Sequence, residues 1–365
     1  MRILFVITGI GLGHIIREIA LINEIQKNIL NAEIKIAGFK NSYNYFKDKF
    51  PLVKIIGHKF PETSFTVNQF KTLIYNLPYP LYFLHDAIKL FIEIKKFKPD
   101  LIIVDAEPVG AFIGKITKTK TISIYNLDLN RWNEFIKERK LTFSEKIQSK
   151  FMYKQISKVY ERANIVLIPS LKYKSVNTEK FHYINPMVRT ISEDLPDEKT
   201  LMKKLNLKKK PILIMLGGST FGFSVAQHIV NISKKFKENF IIFGFENFKT
   251  KNVMSYKFKE NFLEYLKICK GIIIIAGHNT LSEAIVFKKP ALVFPFKHYV
   301  EHYINVYKLE DFIMVRDLQL VSQEEIEDSI KTFLNKINEL EKNMKKLNVK
   351  GDGASRAFEI IFNQS

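Results

Sequence analysis

Apolar runs alternate with helix-period stretches along almost the whole chain, and this alternation is the strongest constraint on its fold. The longest helical stretches of the first half are Leu81–Lys96 and Asn130–Arg162. The apolar runs predict strands at Ile3–Thr8, Glu33–Ala37, Val53–Gly57, Leu101–Val104, Thr121–Tyr125 and Ile165–Ile168. This pattern is typical of an α/β protein whose parallel sheet is covered by helices on both faces.

A polar segment, Asn185–Lys210, interrupts the pattern before it starts again. The later apolar runs predict strands at Ile212–Leu216, Phe240–Phe243, Gly271–Ile275 and Ala291–Phe294. A chain of 365 residues is long enough for two domains with separate cores. We therefore predict one Rossmann-like domain at residues 1–190 and a second at 191–350, followed by a C-terminal helix within 351–365 that packs back on the first domain.

Composition excludes several classes of protein. The single cysteine, Cys269, rules out an internal disulfide framework and a thiolate zinc site. No apolar run approaches the roughly 18 residues of a membrane span. The chain opens directly on a strand-like run rather than on a signal peptide, so we expect a cytoplasmic protein.

Most of the net positive charge lies in the first half of the chain. The formal net charge is +20, and residues 1–190 hold 30 basic and 16 acidic side chains. This excess of basic residues fits either an anionic partner or simply solvated lysines.

Within the Lys-, Phe- and Tyr-rich stretch Asn41–Phe97, apolar residues recur at helical spacing, and we predict that they belong to the core. The alternative is a basic amphipathic helix in a membrane interface. These residues are Leu81, Leu84, Ile88 and Phe91.

Two segments of the first half carry candidate catalytic residues. The turn Gly9-x-Gly11-x-Gly13-His14 joins a strand to a helix, and His14 stands where the dinucleotide fingerprint requires glycine. A helix N-terminus favours neutral imidazole, which can accept a proton. Asp105 and Glu107 follow a strand directly and could act as a base or orient one. Alternatively, Asp105 caps the next helix.

Two turns of the second half could hold an anion. Gly217-Gly218-Ser219 suits a diphosphate or a ribose, and it lacks the Gly-Lys-Ser/Thr of a P-loop. Gly277-His278-Asn279-Thr280 opens a predicted helix in which Asn279 and Glu283 share one face. A diphosphate could bind at this helix start while Glu283 accepts hydrogen bonds from a ribose. The alternative is that Thr280-x-x-Glu283 is a capping box without any ligand.

These segments together resemble a known family. The second half resembles the donor-binding signature of GT-B-fold nucleotide-sugar glycosyltransferases at Gly277-x-Asn279-Thr280-x-x-Glu283, at Pro290 and at Glu301-His302-x-x-Asn305. The group includes the N-acetylglucosaminyltransferases that complete the lipid-linked peptidoglycan precursor and related UDP-dependent enzymes. The glycine-rich turn with His14 and Arg17 is similar to their N-terminal loop. The resemblance implies two Rossmann-like parallel-sheet domains facing across a cleft.

The resemblance also implies roles for individual residues. His14 is our first choice as catalytic base, with Asp105 or Glu107 orienting or replacing it. The donor-binding residues that we predict are Gly11, Gly13, Gly217, Gly218, Ser219, Gly277, His278, Asn279, Thr280, Glu283, Glu301 and His302. Among these, Glu283 would bind the ribose and Glu301 the transferred sugar. The nucleobase would lie near Phe245 or Phe258.

Two departures from the family pattern leave the donor sugar open. Ile275 replaces a histidine that many relatives aim at the diphosphate, and His302 replaces the glutamine that usually follows the acidic residue.

The implied reaction is an inverting transfer from a nucleoside diphosphate sugar, with UDP-N-acetylglucosamine as the example, to a hydroxyl of an acceptor that is lipid-linked or of another kind. No cofactor and no metal are implied. The basic first half would receive the acceptor and could place the protein peripherally on the inner face of the cell membrane. Two alternatives are a nucleotide-sugar 2-epimerase and an inactive sugar-nucleotide-binding subunit. We expect no nucleic-acid partner, because the sequence has no stacking motif or recognition helix.

Overall fold

The computed structural model describes residues 1–59, 76–171, 175–217 and 220–363. The chain divides into two compact units. The first unit comprises the chain up to Arg189 together with the segment that starts at Asp352. The second unit contains Thr190–Gly351.

The first unit is built on a seven-stranded sheet in the order β3-β2-β1-β4-β5-β6-β7, and every neighbouring pair is parallel. Its strands are β1 (Arg2–Ile7), β2 (Glu33–Gly38), β3 (Leu52–Lys54), β4 (Leu101–Asp105), β5 (Lys120–Ile124), β6 (Ile165–Pro169) and β7 (Phe181–Ile184). Its described helices are α1 (Gly13–Asn28), α2 (Lys40–Phe46), α3 (Tyr79–Phe97), α4 (Pro108–Thr117), α5 (Leu129–Glu138), α6 (Phe143–Arg162) and α13 (Gly353–Phe362).

Both faces of this sheet are buried, because successive side chains of a strand point to opposite faces. On β1, Ile3 and Phe5 join the cluster that contains the apolar residues of α1 and α13. Leu4 and Val6 join the opposite cluster, with residues of α3 and α4. The sheet is therefore covered by helices on both sides, and its functional side chains must lie at strand ends.

The second unit repeats this plan with six parallel strands in the order β10-β9-β8-β11-β12-β13. Its strands are β8 (Ile212–Met215), β9 (Phe240–Phe243), β10 (Val253–Tyr256), β11 (Gly271–Ile275), β12 (Ala291–Phe294) and β13 (Met314–Val315). Its α-helices are α7 (Glu198–Lys204), α8 (Thr220–Ile232), α9 (Phe262–Ile268), α10 (His278–Val286), α11 (Val300–Val306) and α12 (Gln323–Lys346).

The predicted class, two parallel-sheet α/β domains, is confirmed. One predicted helical stretch is wrong in detail, because Asn130–Arg162 contains two helices, α5 and α6. The chain is extended at Arg139, and Thr142 caps α6 with Glu145 in a reciprocal capping box. That signature is present in the sequence as Thr142-x-x-Glu145.

The prediction that the apolar stripe of α3 belongs to the core is also wrong. Leu81, Leu84 and Ile88 are 70%, 57% and 55% exposed, and Phe91 is 38% exposed. The buried face of α3 instead carries Asp86, Ala87, Leu90 and Ile94. Helix α3 therefore presents an apolar surface to solvent.

None of the helices in the described part of the chain combines the length and the apolar character that crossing a bilayer requires.

Candidate active site

The carboxyl edge of the first sheet brings together residues that are far apart in the sequence. Strands β1 and β4 are parallel neighbours, with Ile7 opposite Asp105. The turn after β1 leads into α1, whose first turn carries His14, while Asp105 ends β4. Neighbouring parallel strands end at the same edge of a sheet, so His14 and Asp105 meet there.

His14 and Asp105 form a hydrogen-bonded pair. Nδ1 of His14 lies 2.8 Å from Oδ1 of Asp105. The carboxylate can only accept at this contact, so Nδ1 carries a proton, and in the neutral ring Nε2 is the nitrogen that can accept one. The His14 side chain is 20% exposed, whereas Asp105 is fully buried. This arrangement gives a histidine that can accept a proton from a ligand while a buried carboxylate holds its ring.

Asp105 is ionised in this setting. Burial would raise its pKa, but the Arg17 guanidinium and His14 outweigh burial and hold that pKa well below its usual range. The alternative that Asp105 caps the following helix is wrong. Glu107 occupies the N-cap position of α4, and that position makes no side-chain capping hydrogen bond.

Glu107 is buried beside a residue that the sequence analysis missed. Burial, with a contribution from Asp86, raises the pKa of Glu107 to about 8. Its Oε2 lies 3.9 Å from Nδ1 of His58, which is too long for a hydrogen bond. The residue between the two acids, Ala106, has a left-handed backbone with φ of 52°. His58 follows a strand end, and strand-end position is the only signal that could have found it.

The glycines of the turn after β1 differ in how much space surrounds them. A Cβ at Gly9 would lie 1.9 Å from the Phe39 carbonyl oxygen, so the close approach of two chain segments requires glycine. Gly11 has φ of +73° and would have nothing within 4 Å of a Cβ. Gly13 is the first residue of α1. The backbone around Gly11 is thus open to close approach by another molecule.

In the second unit, the turn after β11 is held from a neighbouring helix. Gly277 precedes α10 as its N-cap residue, and a Cβ there would meet nothing within 4 Å. Asn305 of α11 donates from Nδ2 to the carbonyl of Ala276 at 2.9 Å, which fixes the backbone leading into the turn. Asn305 closes the Glu301-His302-x-x-Asn305 pattern of the sequence analysis, which gave it no role of its own. At the start of α10, a ligand can therefore approach the Gly277 backbone closely, while the preceding backbone is held in place by Asn305.

Helix α10 carries the other predicted residues of this segment. It begins at His278, so Asn279 and Glu283 lie one turn apart on the same helix. Glu283 is buried, and Asn279 and Thr280 are half-buried. The capping-box alternative is wrong because Thr280 lies inside the helix rather than at its N-cap. Ser282 donates to the His278 carbonyl at 2.7 Å and stabilises this first turn.

The glycine-rich turn after β8 is described only in part. Gly217 has φ of +66°, a conformation that favours glycine. A Cβ at Gly244 would lie 3.2 Å from the Gly217 carbonyl oxygen, so these two turns are adjacent. Gly218 and Ser219 lie outside the described residues. Phe245 follows Gly244 and contacts Phe223 edge-on at 5.7 Å between ring centroids. Phe258 is half exposed.

Glu301 and His302 lie in the first turn of α11 but have different surroundings. Oε2 of Glu301 accepts a hydrogen bond from the Tyr299 hydroxyl at 2.8 Å. His302 is buried, and its Nδ1 accepts from the Phe296 backbone N–H at 3.0 Å. Burial lowers the pKa of His302 to about 3, so the ring is neutral and its Nε2 carries the proton. His302 can thus offer one N–H group.

Residues 1–59, 76–171, 175–217 and 220–363 contain no group of three or more His, Cys, Asp or Glu side chains that could hold a metal ion.

Comparison with known proteins identifies what the chain is similar to. The profile described as Glycosyl transferase family 1 matches residues 1–338. An uncharacterized glycosyltransferase from Methanosarcina acetivorans is 25% identical over 336 residues, which cover 85% of this chain and 84% of that protein. The UDP-N-acetylglucosamine–N-acetylmuramyl-(pentapeptide) pyrophosphoryl-undecaprenol N-acetylglucosamine transferase of Thermosipho africanus is 24% identical over 98% of this chain and 97% of its own length. The crystal structure of MurG from Acinetobacter baumannii matches with a TM-score of 0.64 and 11% identity, over 100% of this chain and 99% of that one. The shared architecture is the GT-B fold.

Proposed function

The chain belongs to glycosyl transferase family 1, and on that premise we propose that it moves a sugar from a nucleoside diphosphate sugar to a hydroxyl of a lipid-linked acceptor, with inversion at the anomeric carbon. We propose UDP-N-acetylglucosamine as the donor because the Thermosipho relative is named for it and for a pyrophosphoryl-undecaprenol acceptor. The observation that carries the proposal is the buried Asp105 carboxylate at the end of β4, hydrogen-bonded to His14 in the first turn of α1.

In the proposed mechanism the first unit supplies the base. Nε2 of His14 takes the proton of the acceptor hydroxyl while the hydroxyl oxygen attacks the anomeric carbon. The electron pair of the broken sugar–oxygen bond leaves with the nucleoside diphosphate. Asp105 stabilises the imidazolium that forms on His14. Because the displacement occurs in one step on the opposite face of the sugar, the configuration inverts.

We assign donor binding to the second unit, following the family pattern. Negative charge grows on the departing diphosphate, and the free N–H groups at the start of α10 can stabilise it. Gly277, Asn279 and Thr280 would line this diphosphate site, with Gly217, Gly218 and Ser219 from the other turn. Glu283 would accept hydrogen bonds from two ribose hydroxyls, and Glu301 would contact the transferred sugar. The transfer is proposed to need no metal ion.

Replacing Glu283 by glutamine tests the donor assignment. We expect the dissociation constant for UDP-N-acetylglucosamine to rise by about 10- to 100-fold, because hydrogen bonds to a charged group contribute about 1.5–3 kcal/mol. Isothermal titration calorimetry with the donor and with UDP measures the change. A similar loss for both ligands would locate the contact on the nucleotide rather than on the sugar.

The matched control is Ser329→Ala, a buried polar residue of α12 that bonds the Glu325 carbonyl. This variant should lose some thermal stability but keep its donor affinity. If Glu283→Gln lowered the melting temperature and left the dissociation constant unchanged, Glu283 would be a structural residue and its role in donor binding would be excluded.

Support for a lipid-linked acceptor comes from two helices of the first unit. The exposed stripe of α3 lies near Lys89, Lys95 and Lys96 in sequence. On α6, exposed apolar side chains recur every fourth position, at Phe143, Ile147 and Phe151, and further along the helix come Lys154, Lys158 and Arg162. Apolar surface with adjacent cations is the chemistry that binds anionic membranes. We propose that this surface docks peripherally on the cytoplasmic face of the membrane.

A cavity of about 400 Å³ lies between these helices and suits the same substrate. Its lining combines apolar and cationic side chains, which fits a lipid with a phosphate head group. The lining residues are Tyr79, Phe83, Pro108, Phe151, Lys154, Gln155, Lys158 and Arg162.

Vesicle flotation tests the membrane proposal. We expect the protein to float with vesicles of phosphatidylglycerol and phosphatidylcholine, less so at high salt, because screening weakens the lysine contribution. The double variant Leu84→Glu/Ile88→Glu should bind at least about tenfold more weakly, since it replaces two apolar side chains that insertion would bury. The control is Leu30→Glu, which changes a 96% exposed leucine of the same unit. Equal flotation of the two variants, or no binding of the unaltered protein at any salt concentration, would exclude the α3 surface as the docking site.

A further inference from the structure

The Arg17 side chain is buried at the candidate active site. It is 1% exposed, and Arg17 lies one helical turn after His14 on α1. Nε donates to Oδ2 of Asp105 at 3.1 Å, and Nη2 donates to Oδ1 of the same carboxylate. Nη1 reaches Oδ1 of Asn126 at 3.4 Å, just beyond the end of β5. Two nitrogens of the Arg17 guanidinium therefore form a bidentate fork on the Asp105 carboxylate, and the third nitrogen contacts Asn126.

The fork and the histidine share one acceptor atom. Oδ1 of Asp105 accepts from Nη2 of Arg17 and from Nδ1 of His14. Nη2 of Arg17 and Nδ1 of His14 also lie 3.0 Å apart, and when Nδ1 carries a proton both nitrogens donate to that oxygen rather than to each other. The carboxylate cannot rotate about its own axis without losing the contact to Oδ2. The position of Oδ1, and with it the orientation of the His14 ring, is thus set by Arg17.

The neighbouring acid does not compete for the guanidinium through a hydrogen bond. Oε1 of Glu18 lies 3.9 Å from Nε of Arg17, and neither oxygen of Glu18 has a hydrogen-bond partner among the described residues. Burial, reinforced by Asp105, raises the pKa of Glu18 well above its usual value, which favours the uncharged acid. Asp105 is then the counter-ion of Arg17, and the fork is directed at the residue that contacts His14.

We propose that Arg17 is a positioning residue: it fixes the Asp105 carboxylate in the one orientation that holds His14 as the Nδ1–H tautomer, with Nε2 free to act as the base. This inference rests on the proposed function, because it assigns His14 as that base. Lysine cannot replace arginine in this role, since an ammonium group is a point charge without the planar fork. Arg17 thereby becomes a third residue of the site, beside His14 and Asp105.

Arg17→Lys keeps the charge and removes the fork. We expect the turnover number to fall by about 10- to 100-fold, because small displacements of a catalytic group cost up to about 10²-fold. The acceptor KM and the donor dissociation constant should change less than about threefold, since Arg17 touches neither ligand in the proposed mechanism. The control is Glu18→Gln, the adjacent and equally buried residue, which should keep its turnover number within about threefold.

A thermodynamic cycle separates positioning from general stability. If Arg17 acts through Asp105, adding Arg17→Lys to Asp105→Asn should cause little further loss of turnover. Additive losses would overturn the proposal, because they would mean that the two residues act independently. A wild-type turnover number in Arg17→Lys would overturn it as well.

The tautomer of His14 can be read in the unaltered protein, so the inference does not depend on a variant that folds. Nitrogen-15 NMR of histidine-labelled protein, with His14 identified by comparison with His14→Gln, should show a protonated Nδ1 and an unprotonated Nε2 at neutral pH. An Nε2–H tautomer would overturn the proposal. Full activity of His14→Ala would instead overturn the proposed base itself, so failure of the two ideas is distinguishable.

Discussion

Replacing His14 by alanine is expected to lower the turnover number by about 10²- to 10⁴-fold, which is the usual contribution of a general base. The variant lacks Nε2, which is the proton acceptor, and it lacks the imidazole ring that the buried Asp105 carboxylate orients. The donor dissociation constant should stay within about threefold, since donor binding is assigned to the second unit. Single-turnover kinetics with saturating acceptor, combined with donor titration calorimetry, measures both quantities.

The control is His85→Ala, which removes a histidine of the same unit whose side chain is 53% exposed and bonds Asp86. Its turnover number should be close to that of the unaltered protein. A His14→Ala variant that is folded, binds donor and retains near-complete turnover would contradict the assignment, and the base would then have to be sought at Glu107 or His58. Loss of donor binding together with turnover would place His14 in the donor site instead.

The fold class could be predicted because alternation is a local property of the sequence. Each buried strand is short and apolar on both faces, and each helix has its own periodicity, so the order of strands and helices along the chain can be predicted from the sequence. The order of the strands within a sheet cannot be predicted in this way. His14 and Asp105 are 91 positions apart, and only the pairing of β1 with β4 brings them to hydrogen-bond distance. The sequence could nominate both residues but could not show that they are partners.

The surface of α3 illustrates a second limit. Its apolar residues do recur at helical spacing, but apolar side chains occur on both sides of this helix. Periodicity therefore could not decide which side packs on the sheet. Ala87, Leu90 and Ile94 were selected because they meet the β-sheet face formed by Leu4 and Val6. The larger stripe with Leu84 and Ile88 was left exposed. Only tertiary packing distinguishes these two faces.

Arg17 and Asn305 show why positioning residues are hard to find. Both lie in segments that resemble family motifs, but the motif does not show what either residue holds, because each acts on a group that a different part of the chain supplies. Arg17 of α1 contacts Asp105 at the end of β4, and Asn305 of α11 holds the Ala276 carbonyl. Residue type and spacing suggest which groups perform chemistry, whereas the residues that hold them become visible only once strand order is known.

Glu107→Gln is expected to change how the stability of the first unit depends on pH. The pKa of Glu107 in the folded protein is raised from about 4.5 to about 8, chiefly by burial and then by Asp86. The folded state therefore binds this proton more tightly than the unfolded state does. The stabilising contribution of the protonated form is complete below about pH 4.5 and is lost as the pH rises towards 8. The loss approaches roughly 1.4 kcal/mol per pH unit within that window, and relaxation of the site keeps the total to a few kcal/mol.

Glutamine is neutral at every pH, so the variant should gain stability relative to the unaltered protein between pH 5 and pH 8, by about 2–4 kcal/mol. Trp132 provides the measurement, because it is the single tryptophan of the chain and lies fully buried in the same unit as Glu107. Urea unfolding followed by its fluorescence at several pH values gives the free energy of unfolding of that unit. Glu179→Gln, which changes an exposed carboxylate of the same unit, serves as the control and should follow the curve of the unaltered protein. If the Glu107→Gln curve also ran parallel to that of the unaltered protein, Glu107 would be ionised throughout this range, and it would remain available as a carboxylate base beside His14.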